Sequence, residues 1–354
     1  MNATLTPSAA LSANDIYHYL RERLRDVVPD VELRYKAGIA AQINALKRER
    51  NALILGHNYM EPALFHSITD VGGDSLELSR QAAMTDKDII VFCGVRFMAE
   101  TAKILNPSRT VLLPSAHGGC SLADGITAAD VRALKAQYPG VPVVTYINTS
   151  AEVKAESDII CTSGNAAKVV ESLNADAVIF LPDEYLAANV ARATGRQIIF
   201  PTRARPATNE PNLTHTLIGW TARCEVHEKF TVQDVQDVRR QFPDTVILAH
   251  PECSPAVVDA MDFTGSTAAM IKYVEETQAP RYLLLTECSM GDNVAASNPD
   301  KEMLRMCSVR CPHMNEITLE DTLEALQKTQ YVIEVPEAIQ ARARLALERM
   351  LAIS

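Results

Sequence analysis

No stretch of the 354 residues approaches eighteen consecutive apolar side chains. A membrane-spanning helix is therefore not expected. The first residues, MNATLTPSAALSAND, have no basic region leading into an apolar core, so a secretory signal is not expected and the chain reads as cytoplasmic. A basic excess is also missing: 34 Lys and Arg stand against 44 Asp and Glu, a net charge of −10. Nucleic-acid binding is disfavoured, although local positive pockets for anionic metabolites remain possible. In a reducing compartment the eight cysteines are not expected to form a disulfide framework, and metal ligation or catalysis explains them better. Some of them are plain core residues, because free cysteine packs as a small hydrophobe.

What is present is ordinary globular material, 47% hydrophobic and 22% charged, long enough for two or three domains. Residues 13–50 read as helices with a polar outer surface. Beyond them, short apolar runs alternate with helical patterns, which is the signature of α/β units with largely parallel sheets.

The runs form three sets. First-position strands are expected at 52–59 (ALILGHNY), 142–150 (PVVTYINTS) and 245–254 (TVILAHPECS). Second-position strands are expected at 88–95, 158–165 and 260–267, and third-position strands at 110–114, 177–184 and 282–287. The segment 203–222, rich in Pro, Asn and Thr, reads as a loop inserted between the second and third units. The domain reading is an N-terminal helical segment 1–50 and three α/β units at 51–125, 126–222 and 223–312, with 313–354 packed on the body. Chance repetition of a generic α/β pattern is the plainer alternative.

Ligands of parallel sheets gather beyond the carboxyl ends of the strands. The first-position strands end in His57 and Tyr59, in Tyr146 and Asn148, and in His250, Glu252 and Cys253. Singly, each reads as a satisfied polar residue. Together, in corresponding places, they suggest a shared proton-transfer site. Ser75, Ser163, Ser266 and Thr267 stand where helices begin, as ordinary caps or as hydroxyl donors to a phosphate or carboxylate.

Among the cysteines, Cys93, Cys161, Cys253 and Cys288 sit in or beside apolar strands. A zinc site would want close Cys or Cys/His pairs, and Cys120 and Cys224 are isolated. In LRMCSVRCPHMN (304–315), Cys307 and Cys311 lie four apart and Pro312 follows the second. A Cys–Pro step also ends the bacterial ferredoxin run, so an iron–sulfur site is the better reading of these thiols.

Long stretches of the chain resemble the quinolinate synthase family: GHNYMEPA, GDSLELSR, GVRFMAETAKILNP, GCSLAD, YINTSAEVKAESDIICTSGNA, FLPDEYL, CEVHEKF, AHPECSPAVVDAMDFTGSTAAMI and CPHMNEITLEDTLEAL, in order from about residue 50 to 330. The resemblance implies three similar three-layer α/β/α domains around a pseudo-threefold axis, with a central active site. It implies a [4Fe–4S] cluster held by Cys120, Cys224 and Cys311, with one iron left open as a Lewis acid. Cys307 would be a bystander, or a redox-active neighbour able to bond Cys311. The implied reaction condenses iminoaspartate with dihydroxyacetone phosphate to quinolinate, with L-aspartate oxidase as an expected partner. By the same resemblance Glu252 is the general base, Tyr59 exchanges a proton and His250 contacts a substrate oxygen. His57, Ser75, Tyr146, Asn148, Ser163, Ser266 and Thr267 would bind carboxylates and phosphate. An aconitase-like hydro-lyase and a non-enzymatic iron–sulfur sensor are the rival readings.

Overall fold

The protein is described by a computed structural model over residues 11–201 and 213–353. It is an α/β protein with three parallel sheets, and helices pack against all of them. The first sheet contains β1 (Ala52–His57), β2 (Val71–Gly73), β3 (Ile89–Cys93) and β4 (Thr110–Leu112) in the order β2-β1-β3-β4. The next contains β5 (Val143–Tyr146), β6 (Ile159–Cys161), β7 (Ala177–Leu181), β8 (Gln197–Ile199) and β9 (Thr216–Ile218), ordered β6-β5-β7-β9-β8. The last contains β10 (Thr245–Ala249), β11 (Phe263–Thr264), β12 (Arg281–Leu285) and β13 (Glu302–Leu304), ordered β11-β10-β12-β13. Among the described residues, all thirteen strands pair in parallel with one another.

Strands such as β3 and β7 are buried along their whole length, which is why they read as unbroken Val/Ile/Leu/Phe runs rather than as alternations. One side-chain device recurs in every sheet. Asp70, Asp158 and Asp262 each precede the short strand β2, β6 or β11. Each accepts, at 2.8 Å, a backbone N–H from the neighbouring strand: Ile54, Val143 and Ile247 respectively. A carboxylate there satisfies a donor that the short neighbour strand leaves unpaired.

This device corrects the strand register read from the sequence. In the first unit the strand that corresponds to those in 158–165 and 260–267 is β2, not the run 88–95. That run forms β3, which corresponds to β7 and β12, and 110–114 forms β4, which corresponds to β9 and β13. A strand of Val-Gly-Gly is too short and too poor in β-formers to be noticed in a sequence. In the expected insert, residues 203–212 lie outside the described residues, and the remainder holds β9, paired with both β7 and β8.

Ahead of the sheets run the helices Ala13–Leu24 and Asp30–Glu49. Ser12 and Asp15 close a capping box at the start of the first. Leu20, Leu24, Leu33 and Ile43 are fully buried, each stabilising by about 1.5–3 kcal/mol relative to an exposed position. Lys47 ties the second helix to the first sheet, donating to Ile68 O at 2.9 Å and to Asp70 at 2.7 Å. At the other end, the helix Glu337–Ile353 packs on the helix Ala151–Ala155 and on β6. No helix among the described residues is long and apolar enough to cross a membrane.

Candidate active site

The carboxyl ends of strands from all three sheets border one cavity. β1 delivers His57 and Tyr59, β5 delivers Tyr146 and Asn148, and the turn after β10 delivers His250 and Glu252. Ser75, Ser163 and Thr267, which follow β2, β6 and β11, also line it. So do Cys120, Cys224 and Cys311, which follow β4, β9 and β13. Ser266 is not among the lining residues. It caps the helix Thr267–Glu276, its Oγ accepting from Ala269 N at 3.3 Å. Val95, Phe97, Met98, Ile147, Val226 and Met314 supply apolar wall.

The same turn chemistry appears twice. His57 Nδ1 accepts the N–H of Tyr59 at 3.2 Å, and His250 Nδ1 accepts that of Glu252 at 3.4 Å. With Nδ1 engaged as an acceptor, the ring hydrogen sits on Nε2. His250 Nε2 is 3.1 Å from Ser163 Oγ. Burial lowers both imidazoles to about 3, against the pull of the Glu252 charge, so both are neutral donors at ordinary pH.

Glu252 is the hub. Tyr146 Oη donates to its Oε1 at 2.6 Å and His227 Nδ1 lies 2.7 Å from its Oε2. Burial favours the neutral acid, but His227 and the hydrogen bond from Tyr146 outweigh it and hold the group below the usual carboxylate range. Burial, reinforced by this negative charge, raises both Tyr59 and Tyr146 well above the ordinary phenol value.

Three residues went unassigned in the sequence. His227 stacks on His250, with ring centroids 4.6 Å apart, and its Nδ1 also lies 3.2 Å from Cys224 Sγ. Thr286 bridges His227 Nε2, at 2.9 Å, and Tyr59 Oη, at 2.5 Å. Asp183 is fully buried beside the Cys224 backbone. The only signals were their places in CEVHEKF, YLLLTE and FLPDEYL.

The thiols divide cleanly. Cys120, Cys224 and Cys311 are free and line the cavity, whereas Cys93, Cys161 and Cys253 are buried elsewhere. Cys307 does not pair with Cys311. It is bonded to Cys288, nineteen residues earlier, with 5.1 Å between their Cα atoms. Cys288 opens the helix Cys288–Ser297, and its N–H bonds Val309 O at 3.2 Å, which brings it under the loop that carries Cys307. Burial raises Cys120 to about 12 and Cys311 to about 11, and burial together with the Glu252 charge raises Cys224 well above the ordinary thiol value.

Such a fold and site define an α/β protein with buried acid–base groups facing a set of three free thiols. Residues 41–352 match the model of the quinolinate synthetase A protein family, NadA. The chain is 51% identical to quinolinate synthase 2 of Mesorhizobium japonicum, over 99% of this chain and 100% of the relative. It is 49% identical to quinolinate synthase of Agrobacterium fabrum, over 98% and 94%, and 52% identical to that of Xylella fastidiosa, over 87% and 85%. The chain belongs to the quinolinate synthase family.

Proposed function

We propose that the chain catalyses the condensation of iminoaspartate with dihydroxyacetone phosphate to quinolinate, phosphate and water. Family membership over nearly the whole chain supports this over the hydro-lyase and sensor readings. The observation that carries it is the meeting of Glu252, Tyr59 and Tyr146 with Cys120, Cys224 and Cys311 around one cavity.

In this reading residues 51–125, 126–222 and 223–312 are three similar α/β/α units around a pseudo-threefold axis. Residues 1–50 form a helical segment, and 313–354 pack on the body. The repeated strand order and the three aspartates that brace it favour that arrangement.

The donor set fits a [4Fe–4S] cluster. Three free thiols, one following the last-paired region of each sheet, line the cavity, and no fourth free cysteine does so among the described residues. Cys120, Cys224 and Cys311 would hold the cluster. Bound through three thiolates, it supplies a Lewis-acidic iron with one position free for a substrate oxygen.

The remaining work falls to the chain. His57 and His250 present Nε2–H to substrate carboxylate or carbonyl oxygens. Ser75, Ser163, Thr267 and Asn148 bind carboxylate and phosphate groups, and Ser266 holds the helix that presents Thr267. Glu252, already ionised, takes the proton released when the carbon–carbon bond forms. Tyr59 exchanges protons at the opposite wall and Tyr146 fixes the Glu252 carboxylate. The apolar wall keeps competing water from the iminoaspartate, a reactive imine. A cytoplasmic location and supply of iminoaspartate by L-aspartate oxidase complete the reading.

The test is anaerobic. Protein reconstituted with iron and sulfide is given dihydroxyacetone phosphate and iminoaspartate generated by an added aspartate oxidase. Quinolinate forms in proportion to bound iron. A loaded protein that consumes neither substrate rules the function out.

A further inference from the structure

We propose that, in a chain carrying no cluster, Cys224, His227 and Glu252 form a binding site for one zinc-like divalent ion, and that this ion and the cluster exclude each other. The exclusion rests on the reading of Cys224 as a cluster ligand; the ion site does not.

Among the described residues this is the one set of three His, Cys, Asp or Glu side chains whose ligating atoms all lie within 4.8 Å of one another. His227 Nδ1 is its centre, 3.2 Å from Cys224 Sγ and 2.7 Å from Glu252 Oε2. Thiolate, imidazole and carboxylate are the ligand types zinc takes, and around a tetrahedral ion such donors stand roughly 3.3–3.6 Å apart. The sulfur is already near that separation, and the carboxylate has to draw back by roughly half an ångström. Cys120, Cys224 and Cys311 are not all within 4.8 Å of one another, so the thiol triangle is too open to close on a single ion. Thiolate and imidazole also select against magnesium and calcium, which prefer oxygen throughout.

The side chains alone leave this corner under-bonded. Nδ1 offers one position, filled by a hydrogen or by a lone pair, and two neighbours compete for it. With a hydrogen it serves the carboxylate and cannot accept from the thiol. Without one, its lone pair faces a carboxylate oxygen 2.7 Å away. An ion in that position bonds all three donors. The outer contacts suit it: His227 Nε2 lies 2.9 Å from Thr286 Oγ1, which can take the ring hydrogen and free Nδ1 for a metal. Tyr146 engages Glu252 Oε1 at 2.6 Å, leaving Oε2. The charges close as well, because a dication with one thiolate and one carboxylate is neutral, which favours a place where His227 and Glu252 are each 2% exposed. On binding, the Cys224 thiol loses its proton to solvent, the ring hydrogen stands on Nε2, and nothing is oxidised. With its sulfur bonded to the ion, Cys224 has none to give a cluster.

The test uses the full-length chain, freed of iron and zinc by chelation under anaerobic conditions and titrated with Zn²⁺ against a chromophoric chelator. One Zn²⁺ should bind per chain, and Mg²⁺ should not compete. Cys224→Ala, His227→Gln and Glu252→Gln should each weaken binding about tenfold or more, and Cys120→Ala and Cys311→Ala by less than about threefold. X-ray absorption at the zinc edge of the wild-type complex should show one sulfur among nitrogen and oxygen neighbours, which decides the matter where a variant does not fold. No stoichiometric binding, a shell of three sulfurs, or equal weakening by Cys120→Ala overturns the site. The same titration of the reconstituted holoprotein tests the exclusion. Zinc should bind about 10²-fold more weakly, or enter only with a matching loss of the brown absorbance. Holoprotein that takes up zinc at the affinity of the cluster-free chain and stays brown overturns the exclusion, and with it Cys224 as a cluster ligand, while the ion site stands. Quinolinate formation enters neither measurement, so its failure is a separate outcome.

Discussion

The loops bearing Cys224 and Cys311 are fastened differently from the loop bearing Cys120. Just after β7, the buried Asp183 accepts from Leu186 N at 2.6 Å, and its carboxylate faces the backbone N–H of Cys224. Just after β12, the buried Glu287 accepts from Ser289 N at 2.7 Å and faces the N–H of Cys311. The matching place after β3 holds Gly94 and Val95, with no carboxylate. There the tie is made by the main chain, Arg96 N–H donating to Gly118 O at 2.7 Å. Two thiols are thus coupled to the core through one side chain each, and the third through the backbone. Substitutions remote from the thiols should reach the second and third loops and pass the first by.

The largest expected effect sets the baseline for this comparison. Cys120→Ser, Cys224→Ser or Cys311→Ser should each abolish the brown cluster absorbance and the activity, while Cys307→Ser keeps both; optical spectra and iron analysis check this. Glu252→Gln should keep the cluster and lower kcat about 10²- to 10⁴-fold, separating loss of chemistry from loss of metal. Asp183→Ala and Glu287→Ala, which strip buried N–H groups of their acceptor, should cost about 1–3 kcal/mol each in denaturant unfolding and lower iron retention. Full iron retention in both variants would end the proposed coupling.

Acidification probes the cavity that all three loops share. His57 and His250 have folded values near 3, below the usual imidazole range, so the unfolded chain binds more protons in acid. Stability should therefore fall as pH drops from about 6.5 toward 3, by up to about 1.4 kcal/mol per pH unit for each histidine. His57→Gln should flatten the slope by one histidine's share. The smallest effect belongs to the first loop. A Cβ on Gly118 would meet Ile317 Cδ1 at 3.5 Å, an ordinary contact, so Gly118→Ala should stay within about 0.5 kcal/mol of wild type with full iron content.

The cores of β1, β5 and β10 were legible because each is a short stretch rich in Val, Ile, Leu or Ala that runs abruptly into polar side chains. That abruptness also exposed Tyr59, Tyr146 and Glu252. β2 was hidden by its two glycines, and its loss slid the first unit by one strand. His227 and Thr286 have no counterparts in the other units, so no repetition drew attention to them. Only the folded chain brings them together, 59 positions apart in sequence. The Cys288–Cys307 bond was equally out of reach, because pairing partners nineteen residues apart leave no local pattern.

The cavity belongs to none of the three sheets. A gene fragment encoding any two would specify sound hydrophobic layers and yet lack a wall and a thiol, leaving nothing for selection on catalysis to favour. Insertions, fusions and splits in this chain are therefore constrained by how they disturb the seams between sheets, more than by how they disturb any sheet itself.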